Sequence, residues 1–200
     1  MEKYEVSLFY PFEKRPYKTI NLWDWLLNTE PLNGREFAAR TAKNHYELTR
    51  KVNLLEQISV SGIYNLKNSK VIFPTRLICI EFHLNDNRMY KSLDDIKNAI
   101  SKSEYVMYTG ISIIRNLLYC IIKIKEPREP IEHINALDNY FLSEFELIRF
   151  GRKFDYSKTI PRIYDDNPYV NANSTVYIEQ QICRTRIPLA RYLTDHRFWI

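Results

Sequence analysis

The sequence has no glycine-rich phosphate loop: neither a Walker loop nor GxGxxG occurs, and the chain holds only four glycines. HExxH, GxSxG and CxxC are missing as well, so the common zinc-protease, serine-hydrolase and thiol-redox signatures are excluded. The three cysteines, Cys79, Cys120 and Cys183, are odd in number and far apart. They give no zinc spacing and no disulfide framework, and reduced thiols of an intracellular protein are expected. The four histidines (His45, His83, His133, His196) form no i, i+4 pair, so no dedicated zinc site is expected. No apolar run approaches the roughly 18 residues of a membrane span, and Met1 to Glu5 does not lead into a signal-peptide core. The expected location is cytoplasmic, with no membrane partner.

What remains is an ordinary globular composition, with 45% hydrophobic and 26% charged residues over 200 positions. That is enough for one large domain or two small fused modules with a real core. A net charge of +5 permits nucleic-acid binding without requiring it.

The organising stretch is Arg76 to His83, whose apolar run from Leu77 to Phe82 predicts a buried strand. At period two, Ile78, Ile80 and Phe82 point one way and Leu77, Cys79, Glu81 and His83 the other. Glu81 and His83 mark either a chemical site at the strand's exit or simply its wet end. Ser92 to Lys102 then predicts a helix with Asp94 and Asp95 in its first turn. Tyr105 to Tyr108 and Leu117 to Lys125 predict strands, the second with Leu118, Cys120, Ile122 and Ile124 in one row and Tyr119, Lys123 and Lys125 in the other. Ile131 to Phe150 predicts the best helix, with Ile131, Ile134, Leu137, Phe141, Leu142, Phe145 and Ile148 as its stripe and Gly151 as its stop. A last strand near Ile160 to Tyr164 completes the order β-α-β-β-α-β. The expected fold class is therefore α+β, a ferredoxin-like palm with a smaller N-terminal α/β lobe.

That lobe is expected over residues 1–75, the palm over 76–180 and a tail over 181–200, together forming one unit. Within the lobe, Glu5 to Tyr10 predicts a strand and Pro11 to Lys18 a basic, aromatic loop. Leu22 to Leu27 predicts a short helix whose tryptophans serve as core anchors. Gly34 to Ile58 predicts a helical region broken near Asn44, its charges facing either phosphate or water. Ser59 to Tyr64 predicts a strand with a turn at Gly62, and Val71 to Phe73 an apolar edge segment closed by Pro74. The tail, Cys183 to Ile200, carries four arginines and reads as a docked helix or an interaction segment.

In order and spacing, Val6-Ser-Leu-Phe9, Leu22-Trp-Asp-Trp-Leu26, Val60-Ser-Gly-Ile-Tyr64 and Leu77-Ile-Cys-Ile-Glu-Phe-His83 form a pattern. It continues with Ile111-Ser112, Lys158-Thr-Ile-Pro-Arg162 and Asp166-Asn-Pro-Tyr-Val-Asn171. Through these cues residues 5–179 resemble the VirE-type N-terminal domain, a family related to archaeo-eukaryotic primases and often found ahead of a helicase-like region. The resemblance implies a palm whose strand ends in Asp-x-Asp, two carboxylates that hold a divalent cation against nucleotide phosphates. Here that pair is Glu81 and His83. The family's Ser-Gly-x-Gly turn, which brings backbone amides to phosphate, is replaced by Ile114-Arg-Asn-Leu117. Its Lys-Asp-x-Ser-Arg segment becomes Lys158-Thr-Ile-Pro-Arg162, with Asp155 nearby retained.

Three altered positions point to a fold kept after its catalysis went. The expected function is a non-catalytic primase-like domain of a mobile-element or phage-type replication protein that binds nucleic acid or a helicase-like partner. The alternatives are an active nucleotidyltransferase using Glu81, His83 and Asp155 with magnesium or manganese, and a protein-binding accessory domain. Nucleic-acid contacts are expected at Arg115, Tyr119, Lys123, Lys125 and Arg162 on an open sheet face. Against this stands the plainer reading that the lysines are solvated strand ends and Arg162 pairs with Asp165 or Asp166.

Overall fold

The structure is a computed structural model that describes residues 2–11, 15–28, 30–151 and 158–181. Among the described residues the chain is mixed α+β, with antiparallel sheets and five α-helices.

The first sheet has the order β2-β1-β3-β9, from β1 (Glu5–Phe9), β2 (Pro16–Asn21), β3 (Gln57–Ser59) and β9 (Thr159–Pro161). Every pairing in it is antiparallel. β2 lies where the sequence predicts a loop. The pattern from Tyr17 to Asn21 alternates little because it is an edge strand with a largely wet surface, and tertiary pairing with β1 decides its state.

Between β2 and β3 come three short helices, α1 (Leu22–Leu26), α2 (Gly34–Arg40) and α3 (His45–Val52). The break expected near Asn44 is an N-cap: its side-chain oxygen accepts from Glu47 N at 2.9 Å. Asn33 and Glu36 close a capping box on α2. Trp23 is buried as a core anchor, its indole N–H donating to Glu2 O at 2.9 Å, and Trp25 is half-buried.

The second sheet has the order β10-β7-β8-β6, from β6 (Leu77–His83), β7 (Val106–Ile111), β8 (Leu117–Lys123) and β10 (Tyr169–Val170). β6 and β7 are joined through α4 (Leu93–Ile100), and β8 enters antiparallel between them. Ser92 caps α4, its Oγ accepting from Asp95 N at 3.1 Å. The even row of β6 and β8 (Ile78, Ile80, Phe82, Leu118, Cys120, Ile122) packs on Ile96 and Ile100 of α4 and on α5 (Pro130–Phe145). Both helices therefore cover one face of this sheet.

Two expectations need correction here. The strand at Thr159–Pro161 exists but pairs with β3, so it completes the first sheet instead of the second. The fourth strand of the second sheet is β10, which pairs with β7 at the edge away from β6. Also, α5 stops at Phe145, because Glu146 takes a left-handed conformation (φ 52°) that closes the helix with N–H bonds to Leu142 O and Phe141 O. Its buried face is Ile134, Ala136, Leu137 and Phe141 with His133, while Ile131 and Leu142 are exposed.

The odd row of the second sheet packs on the first sheet. Leu77, Leu117, Tyr119 and Ile121 share one core with Val6, Leu8, Ile58, Ile160 and the α1 residues Leu22, Trp23 and Leu26. Gly110 sits at this contact, where an added Cβ would lie 2.5 Å from the Tyr108 hydroxyl and 2.9 Å from Ile163. On the far side of β1, a hairpin of β4 (Gly62–Tyr64) and β5 (Val71–Pro74) is anchored by Tyr64 N donating to Ser7 Oγ at 2.9 Å. Tyr64 and Phe9 meet there edge-on.

Candidate functional site

Strand β6 delivers Glu81 and His83 to the exit of the second sheet, on the side facing the first sheet. Glu81 is buried, and Lys158, just before β9, places its ammonium 2.6 Å from Glu81 Oε2. The pair thus ties the two sheets together at their rim. Phe150 N donates to the Glu81 carbonyl at 2.7 Å, bringing the segment after α5 back to the same strand. Across the β6–β8 ladder, Glu81 stands opposite Tyr119. Burial holds the Tyr119 phenol well above its ordinary value, and the Glu81 charge adds to this. The Cys79 thiol is likewise pushed up by burial and by Glu81, with Lys158 acting the other way.

His83 does not face a second acid. Its Nδ1 accepts from Asn85 N at 3.2 Å, and its ring lies 5.3 Å from that of Phe150. The loop behind it is stapled by buried Asn87, whose amide donates to His83 O and Ile148 O and accepts from Ile148 N. Asp155 lies outside the described residues. Among the described residues no group of three His, Cys, Asp or Glu side chains is placed to hold a metal ion.

The residues expected to contact nucleic acid are dispersed. Arg115 is exposed in the β7–β8 turn, near the His83 end of the sheet, where Asn116 supplies the left-handed residue (φ 60°) that glycine would otherwise give. Asn116 O accepts from Leu84 N at 2.9 Å, which fixes this turn to the end of β6. Lys123 and Lys125 lie at the opposite end of β8, roughly 20 Å away by strand rise. Lys123 is half-buried and Lys125 exposed.

Tyr119 is 1% exposed beneath the first sheet, so the face expected to be open is a packed interface and its ring stacks on no ligand. Arg162 is also buried. It pairs with Glu36, 3.4 Å away, and donates to Asn28 O, Asn28 Oδ1 and Glu30 O. Its acidic partner is therefore neither Asp165 nor Asp166, because β9 carries it toward Glu36 of α2.

A pocket of about 360 Å³ opens beside this arginine, lined among others by Trp25, Asn33, Arg35 and Glu56. Among the described residues Trp25 Nε1 and Arg162 Nε have no partner there, but both nitrogens are sealed below the surface.

Three functional-looking groups are not foreseen from sequence. Lys158 is legible only as part of a family-like segment, and its pairing with Glu81 spans 77 residues. Lys97 and Asp165 form a second ion pair, 2.8 Å apart and buried on both sides. His133 is fully buried, with Nδ1 on Glu179 O at 2.7 Å and Nε2 accepting from Glu126 N at 3.2 Å. It straps the segment after β10 onto α5. The histidine count alone gives no such signal; its place on the buried face of a helix does.

No family model matches the chain, and no curated protein or solved structure matches it. Among the described residues no helix is long and apolar enough to cross a membrane.

Proposed function

We propose that the chain is a primase-like domain of a replication protein that acts by binding, to nucleic acid or to a helicase-like partner, without polymerising nucleotides. The observation that carries this reading is the Lys158 ammonium 2.6 Å from Glu81. Metal-assisted phosphoryl transfer needs several anionic oxygens converging on a cation. Here Glu81 near the exit of β6 is neutralised by a lysine, and His83 two residues on is an imidazole whose Nδ1 already has a donor. A cation would first have to displace Lys158.

The reading is also supported by the order β6-α4-β7-β8-α5, with both helices on one face of an antiparallel sheet. We read this order as a ferredoxin-like palm in altered form, with β10 at the β7 edge and the Thr159–Pro161 strand in the other sheet. Nucleic acid would be held by cations at the rim, exposed Arg115 at one end and exposed Lys125 with half-buried Lys123 at the other, while Tyr119 and Arg162 serve packing.

The test pairs two measurements. Labelled-nucleotide incorporation with magnesium or with manganese should give no product; product that disappears in Glu81→Ala would establish the transferase instead. Single-stranded DNA titrated at several salt concentrations should bind, with a log–log salt slope that falls by about 1 to 2 in Arg115→Ala/Lys125→Ala. DNA affinity that is unmeasurable at low salt favours the second reading, a protein-binding accessory domain. A specific observation favours that reading too: β5 leaves three consecutive apolar side chains in water.

A further inference from the structure

In the hairpin β4–β5, strand β5 holds no buried residue. β4 is held by β1, but β5 pairs only with β4, so its outer edge carries no strand among the described residues. On that edge Val71, Ile72 and Phe73 are 39%, 46% and 63% exposed, and Leu66 in the connecting turn is exposed beside them. Such an edge invites a further strand, and natural sheets blunt it with charge, proline or a bulge. Here Lys70 precedes the apolar trio, Pro74 ends it and the register slips between Ile63 and Tyr64, which leaves only a short stretch at Val71–Phe73 to pair and favours an incoming segment of opposite charge. The charge has one sign. From Gly62 to Arg76 the chain carries Lys67, Lys70 and Arg76 and no acid. All three are exposed, and none has an ion-pair partner among the described residues.

We propose that the outer edge of β5 is a docking site for an extended, apolar segment of another protein flanked by acidic residues, added as a third strand to the hairpin. Main-chain bonds to β5 would give affinity, Ile72 and Phe73 would bury the incoming apolar side chains, and the three cations would select acidic flanks. Charge decides against the other occupants. A second copy would bring its own Lys67, Lys70 and Arg76 against these three, which is repulsive. Nucleic acid would satisfy the cations but leave Val71 and Ile72 without apolar cover. The site deepens the partner-binding side of the function proposed above, and it stands whether or not DNA binds at the Arg115 and Lys125 rim.

The experiment uses the full chain and a labelled peptide of alternating valine and threonine with paired glutamates at each end, beside a lysine-flanked counterpart. The acid-flanked peptide should bind saturably and shift the amide resonances of Lys70 to Phe73, and the lysine-flanked one should bind at least about tenfold more weakly. Lys67→Glu/Lys70→Glu, at exposed positions, should reverse this preference, and Phe73→Ser should weaken both peptides. Equal affinities, or no saturable binding of either, would overturn the proposal. So would a concentration-dependent dimer in sedimentation that Phe73→Glu abolishes, or displacement of the peptide by single-stranded DNA. Loss of DNA binding in Arg115→Ala/Lys125→Ala with peptide binding intact would separate the two surfaces.

Discussion

Two lysine–carboxylate pairs flank the second sheet, and they are built to different standards. Beside β7, Asp165 takes two bonds from Lys97 and one each from Ile111 N and Asn167 N. Lys97 in turn also reaches Asn167 O and Asp94, so nearly every polar site is used. Both partners are buried. Beside β6, Glu81 is equally buried, and its one side-chain partner among the described residues is a lysine that is 43% exposed. The first pair is a saturated lock that holds the loop before β10 against α4. The second is a single contact at a rim open to water. If any chemistry or regulated contact survives at the exit of β6, it is there because that pair can exchange its partner and the other cannot.

The sharpest way to break this comparison is to orphan the locked lysine. Asp165→Ala strips Lys97 of its buried partner and leaves Ile111 N and Asn167 N without an acceptor. Removing one member of a buried pair typically costs 3–5 kcal/mol, and Asp94 still lies 2.9 Å from Lys97, so about 3 kcal/mol is expected in urea unfolding. A cost below about 1 kcal/mol would place the Lys97 pair in the same class as an exposed one.

Alkaline pH should act next. Burial alone pulls the Lys97 ammonium down, but hydrogen bonds and charge from Asp165 and Asp94 outweigh it and leave the group raised above its ordinary 10.5. The folded chain then keeps a proton that the unfolded chain loses, so this contribution is complete below that range and disappears as pH rises through the folded value. Burial raises the Tyr108 and Tyr119 phenols above their ordinary 10.0, which gives the same sign over a window opening near pH 10. Unfolding free energy should therefore fall above about pH 10 by up to roughly 1.4 kcal/mol per pH unit for each such group. Ultraviolet titration should show a class of tyrosines that ionises only as the chain unfolds. A flat stability profile to pH 11 or so would contradict the burial of these groups.

What the sequence discloses follows from locality. The alternation in Leu77–His83 and Leu117–Lys123, the helix start at Ser92, the break near Asn44 and the apolar edge at Val71–Phe73 depend on neighbours within a few residues. They are legible for that reason. The destination of Thr159–Pro161 is not, because a three-residue strand carries no mark of which sheet will pair it. The same applies to Tyr119: period two assigns its row correctly, but only the packing of the first sheet decides that this row is covered. The candidate site was legible to the extent that Glu81 and His83 emerge together. It was illegible in its decisive feature, since Lys158 reaches Glu81 across 77 residues of sequence. Arg162 reads as a surface cation for an equivalent reason, its acceptors lying more than a hundred residues earlier.

The smallest effect is also the most discriminating, because it tests the asymmetry inside the open pair. Lys158→Met takes from the buried Glu81 carboxylate its one cation among the described residues, so the desolvation that the lysine offsets is no longer compensated by it. With the lysine half in water the loss is discounted from that of a locked pair, to about 1–2 kcal/mol. Glu81→Gln removes the same ion pair from the other side but leaves a neutral amide in the core and a lysine free to turn into solvent, so its cost should stay below about 1 kcal/mol. Urea unfolding of the two variants at neutral pH measures the difference directly. The reverse order, with Glu81→Gln the costlier change, would mean that the carboxylate has a second partner whose loss matters more than Lys158. In that event the Lys158–Glu81 contact would no longer support a non-catalytic reading, and nucleotide incorporation with the Lys158→Met variant would become the measurement to make.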